Sequence, residues 1–298
     1  MKRHPEILEA AIFDGANALS KTEWEQDNGV ALERAVRQIL ALCAADAKCS
    51  ASYENPEGLL DAAIAKLREK PIVLNYYSDA AGADVTVKLT LAELGVALSH
   101  MIGRTAQFIP SMLAETVDGT GRFLAEEYLS NYVASRDNDD YPLLMHLAVV
   151  CSDDPPQKEV AFDQSGESEF AVAMERATAP WYAESCEAVD VRPLPPGSDE
   201  DVEADVPTLL LSGALDVRTP PFRNQEAADN LSNARVVIFD YGLHGQYNAN
   251  RMCVAKIVSQ FVNDPSLLDA LDTSCVDQQP SPFVFMTLEE LGVSFEDE

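Results

Sequence analysis

Two apolar runs separated by one helical stretch constrain this chain more than any other feature. The first is Pro207-Thr-Leu-Leu-Leu-Ser-Gly213 and the second is Ala234-Arg-Val-Val-Ile-Phe-Asp240; both have strand length and strand composition, and both end in turn chemistry. Residues 221–231 between them read as a helix, and a further helix is expected over 250–263. Strand, helix, strand at this spacing is a βαβ unit, so the two strands are expected to pair in parallel and the fold class is α/β.

Each strand runs into a turn that carries a reactive side chain. The first run breaks at Gly213 into Ala214-Leu-Asp216-Val-Arg-Thr-Pro-Pro221, and the second into Tyr241-Gly-Leu-His244-Gly245. Open α/β sheets present reactive side chains in the crevice at the carboxyl ends of their strands. Asp216 alone could be an Asx turn or helix cap. His244, between glycines that free the backbone, is better placed to expose its ring. Taken together, an acid and a later histidine after consecutive strands are the last two members of a Ser…Asp…His triad in α/β-hydrolase order. His244 would accept and return a serine proton, and Asp216 would hold the imidazole tautomer. No Gly-x-Ser-x-Gly occurs in the sequence, so the nucleophile is missing from the pattern. His4 lies in a basic terminal stub, while His100 and His146 fall on helical patterns and read as ordinary packed or surface residues.

Composition narrows the classes further. A net charge of −29 with no clustered basic residues argues against a nucleic-acid partner and for a heavily solvated acidic surface. No apolar run approaches the roughly 20 residues of a membrane span, and the opening residues do not form a signal peptide. Six cysteines occur as Cys43/Cys49, Cys151/Cys186 and Cys253/Cys275, the second pair bracketing a polar loop. Sequence alone does not choose among their pairings: sequential pairing is the preferred reading, and six thiols in a reducing cytosol is the alternative. Disulfides would imply export. The spacings do not suit a zinc site, and neither a metal nor an organic cofactor is implied.

Along the chain, residues 10–14 suit a buried parallel strand. Ser20-Lys-Thr-Glu23 reads as a capping box opening a helix that carries Trp24, Leu32, Ile39 and Leu42. Residues 55–67 read as another helix, 72–76 and 85–89 as a hairpin, and Thr90-Leu-Ala-Glu93 as the cap of a third helix, with more helix over 106–117 and 121–135. Residues 192–205, acidic and rich in proline, are expected to be an exposed loop, and the tail after Cys275 a loosely ordered end. The organisation expected is a core strand in 1–19, a helical region with one hairpin in 20–145, the βαβ region in 146–278 and a tail in 279–298.

The stretch from Pro207 to Pro221 with its Gly-x-x-Asp-x-x-Thr-Pro-Pro element, followed by Gly242-Leu-His244-Gly245, resembles the C-terminal part of tripeptidyl-aminopeptidase-like α/β hydrolases, relatives of the prolyl aminopeptidases. Ala10-Ala-Ile-Phe-Asp14-Gly15 resembles the family's strand after the nucleophile helix, and the three cysteine pairs resemble its three disulfides. Leu243 departs from the pattern, standing where a glycine or another small residue often precedes the histidine. The resemblance implies exported serine exopeptidases acting on free N-termini, with an eight-stranded sheet and a helical cap inserted after the sixth strand. On that plan the chain supplies the last three core strands and the cap, a partial α/β-hydrolase fold without the nucleophile half, and the first of these strands is left as an exposed, apolar sheet edge. Met1 is then expected to lie downstream of the true start, and the chain to be inactive alone. The alternatives are a split enzyme completed by a partner chain carrying the N-terminal half, or a non-catalytic peptide-binding module. Glu126 and Glu127 are possible ligands of a substrate amine, set against an ordinary role as solvated helix charges.

Overall fold

The computed structural model of the protein describes residues 1–20, 28–136, 142–153, 167–287 and 290. In chain order its strands and helices are β1 (Ala11–Asp14), α1 (Asn28–Ala45), α2 (Ala47–Ser52), α3 (Leu59–Glu69), β2 (Ile72–Ser78), β3 (Ala83–Leu89), α4 (Leu91–Ile102), α5 (Ile109–Asp118), α6 (Arg122–Arg136), α7 (Leu143–Asp153), α8 (Glu169–Val189), β4 (Thr208–Gly213), α9 (Pro221–Asp229), β5 (Ala234–Phe239), α10 (Gln246–Ala249), α11 (Arg251–Asn263) and α12 (Ser274–Asp277). They fall into two compact units. One comprises Met1–Glu25, Leu147–Val160 and Cys186–Pro282; the other comprises Gln26–His146, Ala161–Ser185 and Phe283–Glu298.

The first unit holds a three-stranded parallel sheet in the order β1-β4-β5. β4 is central and buried along its whole length, because Leu-Leu-Leu offers an apolar side chain to both faces. Leu209 and Leu211 join Val237 and Phe239 of β5 against Val254, Ile257 and Phe261 of α11, with Leu268 and Leu271 closing the layer. Each of these large side chains contributes about 1.5–3 kcal/mol on burial. The Cys253–Cys275 disulfide bridges α11 and α12 along the same layer. On the other face, Phe13, Leu210, Ala227 and Leu231 line a cavity of about 340 Å³.

The parallel pairing of β4 and β5 agrees with the βαβ reading. Residues 10–14 form the expected parallel strand but are not buried: β1 is an exposed edge, as the absence of a preceding core strand implies, and Ile12 and Phe13 are 37 % and 39 % exposed. An apolar composition does not distinguish a central strand from an edge one, since pairing partners decide that.

In the second unit, β2 and β3 form an antiparallel hairpin whose register runs from Ile72↔Leu89 to Ser78↔Ala83, so the pairing extends further toward the turn than expected. In the helices of this unit, Leu32, Ile39, Leu60, Leu94, Leu98 and Met112 are buried. Thr90 and Glu93 form the capping box read from sequence, with the Thr90 N–H donating to Glu93 Oε2 at 2.8 Å. The proposed capping box over 20–23 lies outside the described residues except for Ser20. One close packing needs glycine, since a Cβ on Gly29 would stand 2.5 Å from the Ala171 carbonyl oxygen; a Cβ on Gly95 would meet the Met174 side chain, which would have to shift.

Two further expectations change. The segment bracketed by Cys151 and Cys186 is not simply a polar loop, because α8 occupies Glu169–Val189; Pro180 inside it masks the helical pattern, although the flanking turns still form. Nor is the whole tail loose. Phe285 is buried and the Ser111 hydroxyl donates to the Met286 carbonyl at 2.9 Å, so part of an otherwise acidic end is anchored. The cysteines pair sequentially, as Cys43–Cys49, Cys151–Cys186 and Cys253–Cys275.

Candidate active site

The site is built where the carboxyl ends of the three parallel strands meet. Gly213 ends β4 at a point where a Cβ would lie 2.4 Å from the carbonyl oxygens of both Gly242 and Leu243. That close approach lets the Leu215 N–H donate to the Gly242 carbonyl at 2.8 Å, and the Ala214 N–H to the Phe239 carbonyl at 2.9 Å. The loop after β4 and the loop after β5 are thereby tied together, one carrying Asp216 and the other His244. Glycine is required here for the contact itself.

Asp216 is buried, at 1 % exposure, whereas the His244 side chain is 45 % exposed. His244 Nδ1 stands 3.0 Å from Asp216 Oδ2, which also accepts the Thr219 hydroxyl at 2.7 Å. Thr219 Oγ1 is in turn 3.1 Å from His244 Nδ1, so acid, hydroxyl and imidazole form a closed triangle. Asp216 Oδ1 accepts the backbone N–H groups of Arg218 and Thr219 at 2.8 and 3.0 Å, which is an Asx turn. The turn and the contact with histidine therefore coexist: one oxygen serves each.

The electrostatics arise from these bonds. Burial pushes the Asp216 carboxyl up, but the hydrogen bonds from His244, Thr219 and Arg218 outweigh it and hold the group below its ordinary value. The bond to Asp216 raises the His244 imidazole, with burial and the Arg218 charge working against it. Among the described residues Nε2 of His244 has no hydrogen-bond partner, which leaves it available to a substrate or nucleophile proton.

The other sequence candidates have structural partners. Glu127 pairs with His100 Nδ1 at 3.1 Å, both largely buried, and Glu126 Oε2 accepts the Ala80 N–H at 3.0 Å. His146 Nε2 lies 3.0 Å from the Tyr182 hydroxyl, and His4 is exposed beside Glu6. No cluster of metal-ligating side chains occurs among the described residues, and none of their helices is long and apolar enough to cross a membrane.

Sequence reasoning missed Thr219, Asp14 and Gly15 as members of the site. Thr219 was legible within Asp216-Val-Arg-Thr-Pro-Pro221, since a hydroxyl three residues after an Asx-turn aspartate can return to its carboxylate. Gly15 (φ 82°) leaves room beneath the ring: a Cβ there would lie 2.6 Å from Thr219 Oγ1 and 3.2 Å from His244 Cε1.

The βαβ segment that carries this geometry lies within residues 172–275, which match the model of the family described as TAP-like protein. The match supports a TAP-like α/β-hydrolase family for that segment. The TAP-like segment includes both Asp216 and His244, along with β4, β5, α9 and α11. Hydrolase chemistry is the activity that this resemblance suggests. No curated protein matches the chain.

Proposed function

We propose that this protein is the acid- and base-bearing part of a serine peptidase of the tripeptidyl-aminopeptidase type, which releases short peptides from free N-termini. One observation carries the reading: His244 Nδ1 contacts the buried Asp216 carboxylate at 3.0 Å, at the ends of adjacent parallel strands inside the TAP-like segment. In the mechanism, His244 takes the proton of a serine hydroxyl through Nε2 as that oxygen attacks the scissile carbonyl. It then returns the proton to the leaving amine. Asp216 fixes the tautomer with the proton on Nδ1 and stabilises the imidazolium. The β1-β4-β5 sheet serves as the last three strands of a hydrolase core, and the helical unit with the β2–β3 hairpin serves as its cap. The three disulfides support an exported parent protein.

The sequence offers no Gly-x-Ser-x-Gly, so the chain alone is expected to leave a chromogenic tripeptide with a free N-terminus intact. Co-expression with the strand and nucleophile half of an active TAP-like hydrolase is expected to produce turnover. His244→Ala or Asp216→Asn is then expected to cut that turnover by roughly 10³- to 10⁴-fold. Turnover by the isolated chain, or complemented turnover indifferent to both substitutions, would refute the reading.

The half-exposed edge of β1 favours a second version, in which a separate natural chain supplies the serine and pairs with this strand. Tagged protein recovered from its source would then carry a stoichiometric partner containing the serine motif. Recovery as a lone monomer would dismiss that version.

A further inference from the structure

We infer that Asp14, at the end of β1, is a positioning residue that holds the His244 loop against Asp216. Its two carboxylate oxygens divide between consecutive backbone donors, Oδ1 accepting the Gln246 N–H at 2.7 Å and Oδ2 the Tyr247 N–H at 2.9 Å. These are the first two residues of α10, which starts two positions after His244. Gly245, the residue between, has φ 81° and offers no side chain to cap that helix. The aspartate from the far edge strand therefore supplies the cap that the local sequence lacks.

Everything else around the loop makes this contact decisive for the ring. Gln246 is 1 % exposed; its side-chain amide donates to the Leu243 carbonyl and its Oε1 accepts Asn250 Nδ2 at 3.2 Å. Gly242 has no room for a Cβ, because the Gln246 side chain fills that space. The segment from Gly242 to Tyr247 is thus clamped on both sides of His244, by Gln246 folding back and by Asp14 from below. The next residue on the chain, Gly15, lies directly under the imidazole. Asn224 links the same strand end to the Thr219 turn, accepting the Ala16 N–H at 3.0 Å and donating to the Thr219 carbonyl at 2.9 Å. The end of β1 thus restrains the histidine loop by Asp14 and the aspartate loop by Asn224.

The inference rests on the proposed base role of His244 for its significance, but its test does not need turnover. The imidazole Nδ1–H of the intact, disulfide-bonded chain is followed by ¹⁵N-edited NMR, assigned by its loss in His244→Ala, since His100 also holds a carboxylate at Nδ1. Asp14→Asn keeps one acceptor and loses the second along with the charge; Asp14→Ala loses both. The Nδ1 proton is expected to exchange with solvent about ten times faster in Asp14→Asn, the equivalent of about 1.4 kcal/mol. In Asp14→Ala its resonance is expected to vanish. Asp264→Ala, which removes the cap of the turn at Pro265–Ala270 in the same unit, is expected to lower the unfolding midpoint by a comparable cause and to leave the resonance unchanged.

Unaltered exchange in both Asp14 variants overturns the inference, as does an Asp14→Asn chain that fails to fold, which would make the residue a structural cap only. A parent chain with no protected Nδ1 proton overturns it too, together with the Asp216 contact itself. Failure of complementation with the resonance and its Asp14 dependence intact would instead sink the peptidase reading and leave the positioning role standing.

Discussion

At the scale of single residues, Asp216 does two jobs with two oxygens, and its position is set by backbone geometry before any histidine arrives. Its carboxyl is held below the usual value and the His244 imidazole above its own, so the pair stabilises the fold only while both are charged. The contribution of Asp216 is present above its unfolded value of 3.8 and fades as pH falls through the lower folded value. That of His244 is complete below 6.5 and fades as pH rises through the raised folded value. The stability difference between the parent chain and Asp216→Asn, measured by urea titration across pH, is therefore expected to peak between these limits; a flat profile would deny the coupling. Gly15→Ala is expected to lower stability by about 1–3 kcal/mol, because it combines a positive φ with a Cβ 2.6 Å from Thr219 Oγ1. The same titration reads it, and the His244–Asp216 resonance should shift with it.

At the scale of elements, the packing of helices in the second unit depends on where side chains are absent. Gly29 on α1 meets the backbone of Ala171 on α8, and backbone cannot move aside as a flexible side chain can. Gly29→Ala is expected to cost roughly 1–3 kcal/mol, the usual penalty of overpacking. Gly103, at the end of α4, has nothing within 4 Å of its Cβ position and an ordinary φ, so Gly103→Ala should be neutral or slightly stabilising. Differential scanning calorimetry of the two variants side by side checks this; equal effects would mean that the α1–α8 approach is not tight. The elements themselves were largely readable. β4 and β5 announced themselves by aliphatic runs, and the Thr90 capping box marked the start of α4 just before its first core side chain. α8 was not readable, because Pro180 and a weak apolar stripe conceal a helix held by tertiary contacts.

At the scale of the whole molecule, 50 acidic side chains against 21 basic ones give a net charge of −29. Self-repulsion on that scale opposes the compact state and is relieved by screening. The unfolding temperature is expected to rise steadily from about 10 mM to about 300 mM sodium chloride, over which the screening length shrinks from roughly 30 Å to well under 10 Å. A midpoint independent of salt would show that the acidic residues are already neutralised by local pairing. The disulfides, each joining two cysteines of the same unit, add stability chiefly by restricting the unfolded chain.

What the sequence determined by itself was the chemistry with a local cause. Apolar run length sets strands, Gly213 and Gly245 set turns, and the order of acid and histidine after consecutive strands suggests the dyad. The same locality made the cysteine spacings suggestive but not decisive. Only the tertiary structure decided what depends on residues distant in the chain. It brought Asp14 beneath a loop more than two hundred residues later. It also brought the Thr219 hydroxyl to the His244 ring. Those contacts arise from the parallel pairing of β1 with β4 and of β4 with β5, and pairing is a property of the whole sheet that no single stretch of sequence contains.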